Sequence, residues 1–204
     1  MMKIARMTCA VLAACALVTA AGAAQAKEAA ATDMLVYISP DEYKHSNRLS
    51  HYNLREYWYE QGPMVEPYVS QVLGTELGSV GLCQAGDTAN TLVWLKPNMT
   101  YNPTLQRFNG TVTAEVYAGN GQSLGTYVGK SRRDSFLDIV PAYQLDIAYK
   151  AAMEDLAAKM KADPHLQTAM KESTVNGGNS TSCAMLPLLP VAHASNPLME
   201  IFRK

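Results

Sequence analysis

The chain has 204 residues, with 17 basic and 18 acidic side chains, and 48% of its residues are hydrophobic. One domain is the default at this length, and the hydrophobic fraction is too high for a wholly disordered protein. The near-zero net charge argues against a nucleic-acid-binding protein, which needs a basic surface to neutralise phosphates. It argues equally against a polybasic module that binds membrane surfaces.

The first 26 residues contain the three parts of a secretory signal peptide. Lys3 and Arg6 are the only charged residues there, an apolar run covers residues 7–21, and Ala24-Gln25-Ala26 provides a small-residue cleavage site. The apolar run is shorter than the ~20 residues that a transmembrane helix needs. Because the leader is rich in alanine, as in bacteria, we expect cleavage after Ala26 and export to the periplasm.

Leu12-Ala13-Ala14-Cys15 resembles a lipobox, in which Cys15 would become the acylated first residue of a bacterial lipoprotein. The residues that follow Cys15 are apolar, whereas a lipoprotein usually continues with small polar residues. We therefore favour cleavage after Ala26, and we expect membrane contact only if Cys15 is acylated.

Removal of the leader leaves 178 residues with 15 basic and 18 acidic side chains, a net charge of −3. Cys83 and Cys183 are then the two remaining cysteines. Two cysteines in an exported chain are most simply a disulfide, although two buried free thiols are the alternative. A Cys83–Cys183 bridge would attach the apolar, proline-rich residues 183–191 to the body of the protein.

The first half of the mature chain predicts a strand, a polar connection and a helix. Residues 34–38 are apolar and end at a Ser-Pro pair, as strands do, and residues 41–54 are expected to form a loop or an irregular crossover. A helical apolar period predicts a helix over residues 64–77, with two prolines in its first turn and Gly78 after its end. The members of this apolar face are Val65, Tyr68, Val69, Val72 and Leu73.

Four further strands are predicted. Residues 79–83 form a short strand, and residues 91–95 are apolar on both faces, as in a covered central strand whose extension Pro97 should limit. Residues 111–117 alternate and are followed by Gly119-Asn120-Gly121, a strong hairpin signal that makes residues 124–130 the return strand. Two glycines in that strand, Gly125 and Gly129, indicate an edge or a bulge.

A second helix is predicted to begin near Asp138 and Pro141 and to end at Asp163-Pro164, with its apolar stripe at Leu145, Tyr149, Ala152, Leu156 and Met160. The expected fold is α+β: a two-layer sandwich with a mostly antiparallel sheet of four to five strands and two helices on one face. We expect residues 34–171 to form the single domain, and residues 172–204 to be a flexible linker and an apolar, proline-rich tail.

The sequence contains no phosphate-binding loop, nucleophile elbow, zinc-protease motif or Cys-x-x-Cys pair, so we expect a non-enzymatic protein without cofactor or metal. One group of titratable residues supports the rival interpretation of a small periplasmic enzyme: Asp41, Glu42, His45 and His51. The spacing of the two histidines matches no standard metal-ligand pattern, which favours histidines exposed on a loop.

Two further groups are candidates for a binding surface. Tyr57, Trp58 and Tyr59 are the densest aromatic group and suit an interface or the edge of a core. Arg132 and Arg133 follow the return strand and suit an anionic partner, or the end of a strand that resists edge pairing.

The hairpin of residues 111–130 around Gly119-Asn120-Gly121, followed by the long helix over residues 145–160, resembles small envelope proteins of Gram-negative bacteria. These include the lipopolysaccharide-assembly lipoprotein and the auxiliary lipoproteins of lipid ABC transporters, and the resemblance spans residues 34–170. It implies a non-enzymatic accessory or binding protein of the cell envelope, with an envelope protein or a lipid as partner. No site residue is carried over, and a structural surface protein is a further alternative.

Overall fold

The computed structural model describes residues 32–52, 55–84, 87 and 89–175, with side chains as far as Lys171. The predicted signal peptide, Cys15, Cys183 and the C-terminal tail lie outside these residues, so the interpretations that concern them stay predictions.

Seven strands and five α-helices form the described part of the chain. The strands are β1 (Thr32–Tyr37), β2 (Ser46–Ser50), β3 (Glu56–Glu60), β4 (Val80–Leu82), β5 (Ala89–Asn102), β6 (Arg107–Ala118) and β7 (Ser123–Asp134). The helices are α1 (Pro40–Tyr43), α2 (Gln61–Tyr68), α3 (Gly74–Leu77), α4 (Pro141–Ala162) and α5 (Pro164–Val175), and a π-helical turn (Val69–Leu73) joins α2 to α3.

The main sheet has five strands in the order β4-β1-β5-β6-β7, and β2 pairs with β3 in a separate antiparallel ribbon. The predicted α+β class and the mostly antiparallel sheet of up to five strands are confirmed, since the long β5–β6 and β6–β7 ladders are antiparallel, and two short parallel pairings are added at the other edge. β1 runs parallel to both β4 and β5, whereas β5, β6 and β7 pair antiparallel. A parallel pair needs a long crossover, and the segment from α1 to α3 provides one between β1 and β4.

Helix α4 lies directly on β6 and β7. All five residues of its predicted apolar stripe are buried. Gly129 in β7 makes the close approach possible, because a Cβ there would overlap the carbonyl oxygen of Ala152 and lie 2.8 Å from the backbone nitrogen of Leu156. Strand β7 is an edge strand, as predicted, and the register shift of its ladder falls at Val116/Tyr117, next to the Val116–Gly125 pair.

Three local expectations are wrong. The polar segment 41–54 does lie in the crossover between β1 and β4, but it is not an irregular loop: it contains β2 and most of α1, which Ser39 caps through a capping box with Glu42. Pro67 lies inside α2 rather than in its first turn, just before the π-helical turn. Pro97 does not limit β5, because β1 ends opposite Trp94 and leaves β5 with a single neighbour at Pro97.

Candidate functional site

Six large hydrophobic side chains are exposed at one end of the molecule, where three connections meet. Each of the six is between 48% and 64% exposed. One follows β2, one is in the β5–β6 turn, and four are in the β7–α4 connection and the first turn of α4. We call this surface the loop end: Tyr52, Leu105, Phe136, Ile139, Val140 and Tyr143.

Tyr101, near the end of β5, holds these connections together. Its hydroxyl accepts a hydrogen bond from the backbone nitrogen of Leu137 at 3.2 Å and donates to the carbonyl oxygen of Ser135 at 3.4 Å. Its ring packs against Phe108, with 4.8 Å between the ring centroids, and lies 6.4 Å from the ring of His51. Burial is the main cause of the raised pKa of Tyr101, so its hydroxyl stays protonated as a donor.

The apolar residues of the β7–α4 connection point in two directions, one into the core and the others towards solvent. Leu137 is buried in the main core and anchors the connection, whereas its neighbours Phe136 and Ile139 are exposed. Val140 has φ = +42°, in the left-handed region that a β-branched residue rarely adopts. Strained backbone of this kind occurs often at functional sites, where surrounding contacts enforce it. This connection therefore presents apolar side chains at a defined position.

Contacts between the three connections bring the residues of the loop end onto neighbouring segments. The hydroxyl of Tyr52 bonds the hydroxyl of Thr104, and the backbone nitrogen of Ser135 donates to the carbonyl oxygen of Gln106 at 2.8 Å. Arg55 and Asp138 approach to 4.0 Å as an exposed ion pair. Beside them lies a groove of about 220 Å³, whose lining residues are Arg55, Glu56, Tyr57, Leu137, Asp138 and Pro141.

The predicted aromatic group does not form a single surface, because its residues alternate along β3. Tyr59 points into the core, Tyr57 is half-buried, and Trp58 is 56% exposed on the opposite side of the ribbon. The indole nitrogen of Trp58 donates to Glu56 at 3.1 Å, and the guanidinium of Arg48 lies 5.8 Å from the ring centroid. Trp58 is therefore the one large exposed hydrophobic side chain of the described residues that lies outside the loop end.

The two predicted arginines also point in different directions. Arg133 donates to the side-chain oxygen of Gln144 in α4 at 3.1 Å, whereas Arg132 is exposed near the end of the edge strand β7. Nearby, Arg107 and Asp134 form an ion pair at 2.5 Å. The two arginines do not form one anion-binding site.

The residues of the enzyme alternative are dispersed. His45 and His51 lie at opposite ends of β2, about 20 Å apart along the strand. Glu42 takes part in the capping box of α1, where its carboxylate accepts from the backbone nitrogen of Ser39, and it accepts a hydrogen bond from the indole of Trp94 at 2.9 Å. His51 packs on the ring of Tyr52 at the loop end, with 5.6 Å between centroids. Among the described residues no three His, Cys, Asp or Glu side chains cluster in a way that would hold a metal ion.

A larger groove of about 660 Å³ lies between the helices, and its charged residues pair with one another. Lys161 of α4 bonds Glu76 of α3 at 2.8 Å, and Lys150 lies 4.0 Å from Glu154. All four side chains are largely exposed, where ion pairs contribute little and attract ligands weakly. We therefore consider the loop end the stronger candidate.

Sequence reasoning missed the loop end because its residues come from three separate connections. One signal was available: residues 136–140 combine four apolar side chains with a single aspartate in a connection between a strand and a helix. Exposed apolar residues are unusual in such a segment and are a sign of binding. Asp138 and Pro141 were interpreted instead as the start of a helix, and α4 does begin at Pro141.

Comparison with known proteins does not assign the chain to a family. No family model and no curated protein matches it. Protein XCC0632 from Xanthomonas campestris, described by the family name DUF330, is 11% identical, with a TM-score of 0.46 over 72% of this chain and 90% of its own. A second solved structure, described as an uncharacterized protein, is 9% identical, with a TM-score of 0.40 over 65% of this chain and 93% of its own. Likenesses at this level assign neither a family nor a function.

Proposed function

We propose that this protein is an exported, non-enzymatic accessory protein of the bacterial cell envelope that binds another envelope protein through the loop end. The observation that carries the proposal is the concentration of six exposed hydrophobic side chains on three connections that contact one another. A concentration of exposed apolar side chains at one end of a protein is typical of a protein interaction site. Export itself rests on the predicted signal peptide.

The chemistry of the loop end favours a protein partner over a lipid surface. Tyrosines and an arginine lie among the aliphatic side chains, and these residue types are enriched in the centres of protein interfaces. The predicted mature chain has a net charge of −3, which disfavours attraction to anionic lipid headgroups. None of the helices in the described ranges combines the length and hydropathy that a membrane-crossing helix requires.

The enzyme alternative has weaker support. Its candidate residues are spread over about 20 Å of β2 and α1, whereas general acid–base catalysis needs groups within hydrogen-bond reach of one substrate. The loop end offers a broad exposed surface with a small groove, a geometry that suits docking better than enclosure of a small substrate.

The test is capture of a partner from the envelope of the source cells with purified mature protein, after chemical cross-linking and identification by mass spectrometry. Phe136→Ser combined with Ile139→Ser should abolish recovery of the partner. Trp58→Ser is the matched control, because it removes an exposed aromatic side chain outside the loop end. This control should recover the same partner in the same amount.

Three outcomes would contradict the proposal. Loss of the partner only in the Trp58→Ser variant would indicate that the partner binds at β3 and not at the loop end. Equal recovery with every variant would mean that the loop end is not an interface. The parent protein could also float with phosphatidylethanolamine–phosphatidylglycerol vesicles while the Phe136/Ile139 variant does not. That result would indicate that the loop end binds a lipid surface and not a protein.

A further inference from the structure

A second apolar cluster lies on the face of the main sheet that points away from the helices. Side chains alternate along a strand, so Val36 of β1 and Val93 of β5 face the helices while Leu35 and Leu92 face the other way. We call this second group the outer cluster. Its buried members are Leu35, Ala89, Leu92, Trp94 and Tyr117, with Tyr37 and Cys83 packed beside them.

The outer cluster is as well buried as the main core. Leu92 is 0% exposed, Leu35 is 1%, and Trp94 and Tyr117 are 7% each. Every member comes from β1, β5 or β6 or, in the case of Cys83, directly follows β4, so within the described ranges the cluster belongs to a single layer. One sheet cannot exclude water from its own outer face, because burial of that face requires a second layer against it.

The polar atoms around the outer cluster are already paired. The indole nitrogen of Trp94 donates to Glu42, and the hydroxyl of Tyr117 donates to Glu115 at 3.0 Å. Glu115 also pairs with Lys96 at 2.5 Å, and the Lys96 ammonium lies 4.1 Å from the centroid of the Trp94 ring. The surface thus has an apolar centre and a neutralised charged margin, which suits a short apolar segment better than a charged one.

Cys83 lies at the edge of this surface. It directly follows β4, its backbone nitrogen donates to the carbonyl oxygen of Val36 at 2.9 Å, and its side chain packs against the outer cluster. Any segment attached to Cys83 would therefore begin at the margin of the apolar centre.

We propose that residues 183–191 of this chain form the missing layer, lying across the outer cluster with Cys183 joined to Cys83 by a disulfide. The two thiols lose two hydrogen atoms and two electrons to the disulfide of an exchanging oxidant in the exported compartment, which is reduced to a dithiol. The composition of this segment suits packing against an apolar surface, because it contains one methionine, three leucines and one valine and no charged residue. Pro187 and Pro190 exclude an ordinary helix and favour an extended strip, which would span about 28 Å over nine residues. The four strands from β4 to β6 are only about 15 Å across.

The chain length allows this path. Residues 176–182 follow α5 and can extend about 23 Å, compared with about 20 Å for two layer spacings, from the helix layer across the sheet to a layer on its other face. The other terminal candidate is unsuitable, because residues 27–31 of the predicted mature chain are small or charged and include no large apolar side chain.

Trp94 provides a direct test, because Trp58 is the only other tryptophan and can be replaced by phenylalanine. In this background, Leu188→Asp combined with Leu189→Asp should expose Trp94, with a red-shifted emission and a several-fold larger acrylamide quenching constant. The matched control is Leu198→Asp combined with Met199→Asp, which places the same charges beyond the proposed cover and should leave both readings unchanged. Unchanged quenching in the Leu188/Leu189 variant, with a native circular dichroism spectrum, would overturn the proposal.

Carbene footprinting of the unmodified mature protein covers the case in which the Leu188/Leu189 variant does not fold. Residues 186–191 should be labelled several-fold less in the native protein than in urea. Equal labelling in both conditions would show that this segment covers nothing, and another occupant of the outer cluster would then have to be sought.

Discussion

The hydroxyl of Tyr59 in β3 lies 3.1 Å from the hydroxyl of Tyr149 in α4, although the two residues are 90 positions apart. The side-chain amide of Asn47 donates to Tyr59 at 3.1 Å, and Tyr149 donates to the side-chain oxygen of Gln61 at 3.4 Å. Both tyrosines and Gln61 are buried. This hydrogen-bonded chain attaches the β2–β3 ribbon to the helix layer, and it explains why Tyr59 belongs to the core rather than to a binding surface.

Tyr149→Phe should destabilise the protein by about 1–2 kcal/mol, because it leaves Gln61 without a buried donor and Tyr59 without an acceptor. Urea unfolding should show a lower midpoint with an unchanged slope. Tyr143→Phe is the control, since it removes a hydroxyl from an exposed tyrosine, and its midpoint should match the parent. Equal midpoints for all three proteins would show that the buried chain contributes nothing.

Alkaline pH should destabilise the fold through its buried tyrosines. Burial raises the pKa of Tyr59 to about 12, and burial together with Glu115 raises the pKa of Tyr117 to about 12. A pKa raised in the folded state means that the stabilisation is complete below the unfolded value of about 10 and is lost as the pH rises from there towards 12.

The free energy of unfolding should therefore fall between about pH 10 and pH 12, and Tyr59→Phe should show a shallower fall. Urea titrations across this range, with tyrosinate absorbance followed in parallel, measure both effects. A free energy of unfolding that is independent of pH in this interval would contradict the prediction.

Gly129→Ala should destabilise the protein by about 1–3 kcal/mol or prevent folding, because the added Cβ would overlap the Ala152 carbonyl and force α4 away from β7. Gly74→Ala is the matched control. Gly74 has helical dihedral angles, and an added Cβ there meets nothing within 4 Å. That variant should gain about 0.5–1 kcal/mol, since alanine is the better helix former. Thermal unfolding of both variants measures the contrast, and similar melting temperatures would refute it.

Export and disulfide formation can be checked on protein recovered from the periplasm. Its intact mass should correspond to residues 27–204 minus two hydrogen atoms, and a non-reducing digest should contain a Cys83–Cys183 peptide. A diacylglyceryl mass on a chain that begins at Cys15 would establish the lipoprotein alternative. Two alkylatable thiols after denaturation without reductant would refute the bridge.

Local sequence patterns determined most of the secondary structure. The helical period of residues 145–160, the alternation of residues 111–117 and the Asn-Gly turn depend on neighbours in the chain, so α4, β6 and the hairpin to β7 could be recognised from sequence alone. The α+β class followed from these elements. Segment 41–54 was misjudged, because β2 forms only when paired with the equally short β3, and an isolated two-stranded ribbon is marginally stable.

Tertiary structure decided the strand order, the exposure of individual side chains and the candidate site. The parallel pairing of β1 with both β4 and β5 depends on contacts far apart in the sequence, which no local pattern reports. Tyr57, Trp58 and Tyr59 are adjacent in the chain, but the strand turns them to opposite sides. Tyr52, Leu105 and Val140 are far apart in the chain, but the ends of β2, β5 and β7 place them on one surface. The physical reason is that a binding surface is formed by strand ends and connections that only the folded sheet brings together.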